Sequence, residues 1–184
     1  MRVVISSLLP DIQAERKRTG LDRWDEMWEG VLHMPPMPNR DHQDLEGSLE
    51  TYLRFNWTPP RLAKVYHQIN VAAMGGWPND YRIPDLVMLL PQSFAIDRNE
   101  YFEGAPDAVV EIQSPGDETD EKMPFYRDLG VPEVWIIHGD TRTPEIHLLK
   151  RRRYKRQTAT REGWIVSPRT GIELAGRNGN RRSD

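Results

Sequence analysis

The sequence predicts one mixed α/β domain, and three observations carry that prediction. Short runs rich in β-branched and apolar residues recur at 31–34, 63–73, 82–90, 107–113, 134–137, 145–149 and 164–166, bounded by Gly, Pro, Asn or Asp. Helical spacing is rarer and is clearest in the stretches that open near Asn39 and near Asp120. At 184 residues the chain is long enough for one sizeable core, and nothing in it demands a second. The expected organisation is an N-terminal extension with a short helix over 1–20, a single domain over 21–175, and a mobile tail over 176–184, which has no apolar side chain to bury.

Composition narrows the chemistry. The net charge of −3 hides an uneven spread, with 150–161 basic and free of acids while 107–128 is mostly acidic. The absence of cysteine removes disulfides, thiolate metal sites and a thiol nucleophile, and fits a reducing compartment. No run approaches the roughly 20 apolar residues of a membrane span, and the first ten residues are too short and polar for a signal segment. The expectation is a cytoplasmic protein without a membrane partner.

In chain order, Pro10 and Asp11 open a short helix that Thr19-Gly20 stops. Trp24 and Trp28 are spaced to share one face if that segment is helical, and are read as packing on the core edge. Glu29-Gly30 turns into a strand at 31–34, which Pro35, Pro36 and Pro38 end. A helix capped by Asn39 or Asp41 follows, with Leu45, Leu49, Tyr52 and Leu53 as its inward stripe and His42 on the stripe's edge, one turn before Glu46. The runs at 63–73 and 82–90 each read as one continuous strand, with a tight turn over 75–80 between them and a loop over 91–104 after them. Beyond 107–113 comes a helix near Asp120 that Gly130 ends, with Pro124 confining its start to about Asp120 or later.

The candidate site lies in 83–126. Asp85 and Glu111 each sit in or beside an apolar strand-like run, so each carboxylate is fixed on rigid backbone beside the interior and needs a partner. The nearest downstream base is Lys122. Two strand-borne carboxylates and one lysine fit a Mg²⁺ site for phosphodiester hydrolysis, with Mn²⁺ as the alternative ion. The plainer reading pairs Asp85 with Arg82 and Glu111 with Lys122 as ordinary ion pairs. As a general base, Lys122 needs its pKa lowered by burial. Tyr126, one turn after Lys122, either orients it or packs, and packing is favoured. The five histidines, His33, His42, His67, His138 and His147, show no zinc-site spacing. Arg151, Arg152, Arg153 and Lys155 offer either a phosphate-binding surface, with Tyr154 free to stack on a base, or a charged, solvated hairpin edge.

Pro84-Asp85, Glu111 ahead of Ser114-Pro115, Asp120-x-Lys122, Tyr126 and the run from Gly130 to Ile137 together resemble the Uma2 family of restriction endonucleases, in the PD-(D/E)XK nuclease superfamily. Glu26-x-x-Glu29-Gly30 and the proline-rich turn before His42 extend the resemblance. It implies a restriction-endonuclease-like α/β fold with a central mixed sheet flanked by helices, DNA as partner, and a homodimer. It implies Asp85, Glu111 and the backbone carbonyl of Ile112 as metal ligands, Lys122 as the catalytic lysine, and Glu29 and His42 as residues completing the site. One departure stands out: the usual lysine position, two residues after the acid, holds Gln113, and Lys122 on the following helix takes its place. Two functional classes follow, a metal-dependent DNA endonuclease and a nucleic-acid-binding or scaffold protein of the same fold that cleaves weakly or not at all. A phosphoesterase acting on small nucleotides is a third.

Overall fold

A computed structural model describes residues 3–5, 10–20 and 22–176, so the tail expected to be mobile falls, from 177 on, outside the described residues. Strand β1 (Val3–Ile5) and helix α1 (Pro10–Thr19) come first. Strands β2 (Glu26–Trp28) and β3 (Val31–Met34) form a hairpin, and helix α2 (Arg40–Tyr52) runs through a π-helical segment (Leu53–Trp57) into the single turn α3 (Thr58–Arg61). Six strands follow: β4 (Lys64–His67), β5 (Asn70–Ala72), β6 (Tyr81–Arg82), β7 (Leu86–Leu89), β8 (Ile96–Asp97) and β9 (Tyr101–Glu103). Then come β10 (Ala108–Gln113), α4 (Thr119–Leu129), β11 (Glu133–His138), β12 (Pro144–Lys150), β13 (Arg153–Arg156), β14 (Trp164–Val166) and β15 (Glu173–Ala175).

The central sheet has the order β13-β12-β11-β10-β7-β4. It is mixed: β10 and β11 run parallel, joined by the crossover helix α4, and the other pairs are antiparallel. Alternation along these strands gives each face its own core. Val65, Leu86, Met88, Ala108, Val110 and Trp135 meet Leu53 and Trp57 of the α2 end on one side. Val109, Val134 and Ile136 meet Tyr126 of α4 on the other.

A second sheet, order β1-β3-β2-β6-β5-β9-β8, corrects several expectations. The run 63–73 is two strands because Gln68 adopts a left-handed backbone (φ +45°), which sends β4 to the central sheet and β5 to the second. The run 82–90 divides at Ile83-Pro84, where proline has no N–H for a ladder, so β6 and β7 also belong to different sheets. The loop expected over 91–104 holds β8 and β9. The tryptophan segment is not helical: Glu29 and Gly30 both take positive φ and fold it back as the β2–β3 hairpin. Of the inward stripe expected here, Leu45, Leu49 and Leu53 pack on the core, whereas Tyr52 is 57% exposed and Glu46, not part of the expected stripe, is buried.

Candidate metal and nuclease centre

Strand register brings the two expected acids together. In the antiparallel β7–β10 pair Leu86 faces Val110, so the next rung sets Asp85 opposite Glu111. Both share the parity of Val87 and Val109, which face the α4 side. The β10–α4 loop is closed by Asp117, whose carboxylate accepts the N–H groups of Ser114 (2.5 Å) and Thr119 (3.0 Å). Helix α4 thereby starts at Thr119, and Lys122 stands in its first turn, above Glu111. The cleft above them, about 220 Å³, is walled by the prolines of 35–38, Asn39 at the start of α2, and Trp24.

Glu111 is 4% exposed and holds two donors: the Tyr126 hydroxyl on Oε1 and Lys122 Nζ at 3.3 Å from Oε2. Tyr126 therefore does more than pack. Asp85 Oδ2 accepts the Ile112 N–H at 2.6 Å, and Oδ1 lies 3.0 Å from His42 Nε2. The ion pair considered between Asp85 and Arg82 is not formed; Arg82 pairs with Asp80 at 2.9 Å. Ile112 lines the cleft beside both acids. Glu29 is not brought to the cleft. It occupies the exposed β2–β3 turn, with its N–H on Asp80.

Glu26 takes the place expected of Glu29. Its Oε1 lies 2.8 Å from Lys122 Nζ and accepts the Ile83 N–H at 2.8 Å, while Oε2 accepts from Trp28 Nε1 at 2.7 Å. The Trp28 ring is itself fixed, stacked on His33 at 3.9 Å with Arg82 over its face. Glu46 is the other residue the sequence reading left without a role. It is 1% exposed, with Oε2 3.9 Å from His42 Nε2 and accepting from Gln68 Nε2 at 3.2 Å. Period-2 spacing in a strand would have separated inward Glu26 and Trp28 from turn residue Glu29. The i, i+4 relation of His42 to Glu46 was already visible.

The electrostatics follow from burying more acids than bases. Burial, with Asp85 and Glu26 nearby, pushes Glu111 up to about 8 against the pull of Lys122 and Tyr126. Burial, then Asp85, pushes Glu46 up to about 8. For Lys122 burial acts to lower the pKa, yet Glu111 and Glu26 outweigh it and hold the amine well above its ordinary value. The lowered pKa a general base requires is thus the reverse of what the site imposes. His42 shows the same contest, burial pulling down and the Asp85 contact lifting it to a net raised value.

The basic run is remote from this centre. Arg151 and Arg152 form the β12–β13 turn with positive φ, on the sheet's β13 edge and at the end where β11 begins, whereas the acids lie toward the other end of β10. Arg153 and Lys155 are exposed on that edge strand, and Tyr154 turns inward to bond the Val131 carbonyl at 2.8 Å. Among the described residues no helix is long and apolar enough to cross a membrane.

A crystal structure of a putative nuclease belonging to DUF820 from Anabaena variabilis ATCC 29413 is similar, with a TM-score of 0.64 and 17% identity over 82% of this chain and 86% of that one. At that identity the likeness speaks to the fold, which is restriction-endonuclease-like, with the mixed central sheet and flanking helices in place. No curated protein matches the chain. Residues 19–177 match the family described as Uma2, putative restriction endonuclease, and the chain belongs to that family.

Proposed function

We propose that the protein is a divalent-metal-dependent endonuclease that hydrolyses DNA phosphodiester bonds in this cleft. The observation that carries the reading is a set of converging carboxylates, buried Glu26 and Glu111 with half-buried Asp85, neutralised in part by the ammonium of Lys122. Such an excess of desolvated negative charge with hard oxygen donors fits a divalent cation. Asp85, Glu111 and the Ile112 carbonyl would hold Mg²⁺ or Mn²⁺, which when bound supplies an acidified water and a polarised phosphoryl oxygen. Lys122, kept charged by Glu111 and Glu26, acts as the electrostatic stabiliser of the phosphate rather than as the base. Glu26 aims the ammonium, Tyr126 fixes Glu111, and His42 with the Ile112 N–H fixes Asp85. The displacement of the lysine from position 113 to 122 is no obstacle, because α4 returns the amine to Glu111.

The test is nicking of supercoiled plasmid with Mg²⁺ or Mn²⁺ by the native chain, Asp85→Asn and Lys122→Gln. Removing Lys122 leaves Glu26 and Glu111 buried without their cation, a loss of about 3 to 5 kcal/mol, so circular dichroism must first confirm that the variant is folded. Cleavage by the native chain and its loss in both folded variants is the expected result. A folded native chain that cleaves no DNA with either metal would return the protein to the binding or scaffold class. The homodimer expected from the family belongs to the same proposal, and light scattering should give twice the chain mass.

A further inference from the structure

We infer that the apolar wall of the cleft, Trp24 with Met37 and the prolines of 35–38, is a stacking platform for an unpaired nucleobase, so that the substrate is single-stranded or locally unpaired DNA rather than an intact duplex. The inference deepens the nuclease reading and rests on it for the position of the scissile phosphate beside Asp85 and Glu111. Trp24 stands in the turn before β2, half-buried, and lines the same cleft as the acids. Its ring is held in place. The indole N–H donates to Gln68 Oε1 at 2.9 Å, Gln68 Nε2 donates to Glu46 Oε2 at 3.2 Å, and the Gln68 N–H donates to the Asp85 carbonyl at 3.0 Å. One glutamine thus couples the ring to the backbone of a carboxylate of the site. The next residue is fixed as well, Asp25 accepting the Tyr81 hydroxyl on its carbonyl at 2.9 Å and Arg16 on its carboxylate. The loop from β3 to α2 adds Pro35, Pro36, Met37 and Pro38 to the lining, and the fixed φ of proline makes that wall stiff before any ligand arrives.

Charge and size favour a single base over a duplex as the occupant. Among the described residues that line the cleft, the acids Glu26, Asp85, Glu111, Asp117 and Glu118 are answered by one ammonium, Lys122, and no arginine. A duplex is gripped mainly through cations on its phosphates, and the basic β12–β13 turn lies at the other end of the sheet. Affinity in the cleft therefore falls to stacking and apolar contact, which needs a base face that an intact duplex hides in its own stack. At about 220 Å³ the cleft is smaller than the roughly 300 to 1,000 Å³ of a pocket for a drug-sized ligand, which suits one flat ring system. Met37 lines it while 67% exposed, and its polarizable thioether is suited to the face or edge of an aromatic ring. The exposed Arg23 guanidinium lies over the Trp24 ring, 5.4 Å from its centroid. Such a solvated contact is weaker than base stacking on an indole, so a base displaces it and leaves the cation beside the strand.

The test is fluorescence anisotropy of the full chain, with Ca²⁺ present, on a labelled mixed-sequence oligodeoxynucleotide, either single-stranded or annealed to its complement. The native chain should bind the single strand about tenfold tighter than the duplex or more. Trp24→Leu should lose roughly tenfold on the single strand and less than about twofold on the duplex, with Mn²⁺ affinity unchanged because the ring holds no metal ligand. Trp24→Phe, which keeps an aromatic face but not the N–H, should restore most of the loss. Met37→Ser, at an exposed position, should weaken single-strand binding roughly threefold, and it decides the question should Trp24→Leu fail to fold. Equal affinity of the native chain for both DNA forms, or single-strand affinity unchanged in the folded variants, would overturn the inference and leave the wall to a protein segment. Cleavage run on the same two DNA forms separates the readings. Single-strand preference that depends on Trp24, without cleavage of either form, leaves the platform standing while the nuclease reading fails; equal cleavage of both forms, unaffected by Trp24→Leu, does the opposite.

Discussion

Glu46 and Glu111 hold protons at pH values where an exposed carboxylate has lost them, because each is buried near another acid. The folded chain therefore binds more protons than the unfolded chain between the ordinary glutamate value of 4.5 and about 8. Stability from this source is fully present below that window and is lost as pH rises through about 8. Without metal, the melting temperature of the native chain should fall from pH 6 to pH 9 more steeply than that of Glu46→Gln, whose neutral amide imitates the protonated acid. The two should nearly coincide at pH 6. Melting curves of the two proteins that stay parallel across this range would show that Glu46 does not titrate as described.

At the scale of elements, the site depends on how α4 is delivered and stopped. Asp117 sets its start and Gly130 its end, in a left-handed conformation (φ +88°) with its N–H on the carbonyls of Tyr126 and Arg127. Pro124, which the sequence reading allowed only close to the helix start, sits inside the helix one turn after Asp120, where the N–H it lacks would have found its partner in the first turn. Gly130→Val is expected to cost about 1 kcal/mol or more by forcing a β-branched residue into positive φ. Urea unfolding measures this, and an unchanged midpoint would mean that the helix end relaxes without strain. Strand boundaries depart from the periodicity chiefly where a short break redirects a strand. Gln68 and Ile83-Pro84 look like minor interruptions in apolar runs, yet each moves the following residues to another sheet. Periodicity reports which face a residue presents, not which sheet receives it.

Across the whole molecule, the basic β12–β13 turn and the acidic cleft occupy opposite ends of the central sheet. Arg151→Ser combined with Arg152→Ser should therefore leave Mn²⁺ affinity unchanged, measured by calorimetry, and should leave cleavage of a short duplex within about twofold of the native chain, while a larger loss would place the turn on the DNA path. The α2 face of the sheet is the thicker core. Trp135, fully buried in it with Trp57 and Leu53 opposite, should cost about 3 to 5 kcal/mol when replaced by alanine, read from urea unfolding.

The sequence by itself determined the fold class, helices α1, α2 and α4, the apolar strands at the centre of the main sheet, and the pairing of Asp85 with Glu111 and Lys122, because those features are written in local periodicity, in turn residues and in one ordered set of motif residues. Only the tertiary structure decided that Glu26 rather than Glu29 anchors the lysine, that Tyr126 bonds Glu111, that Glu46 joins His42 beside Asp85, and that the basic run lies elsewhere. Each of these depends on which distant segments share a buried space. Burial fixes pKa direction and partner choice together, and it is set by strand register and helix placement across gaps of 40 residues or more, as between His42 and Asp85.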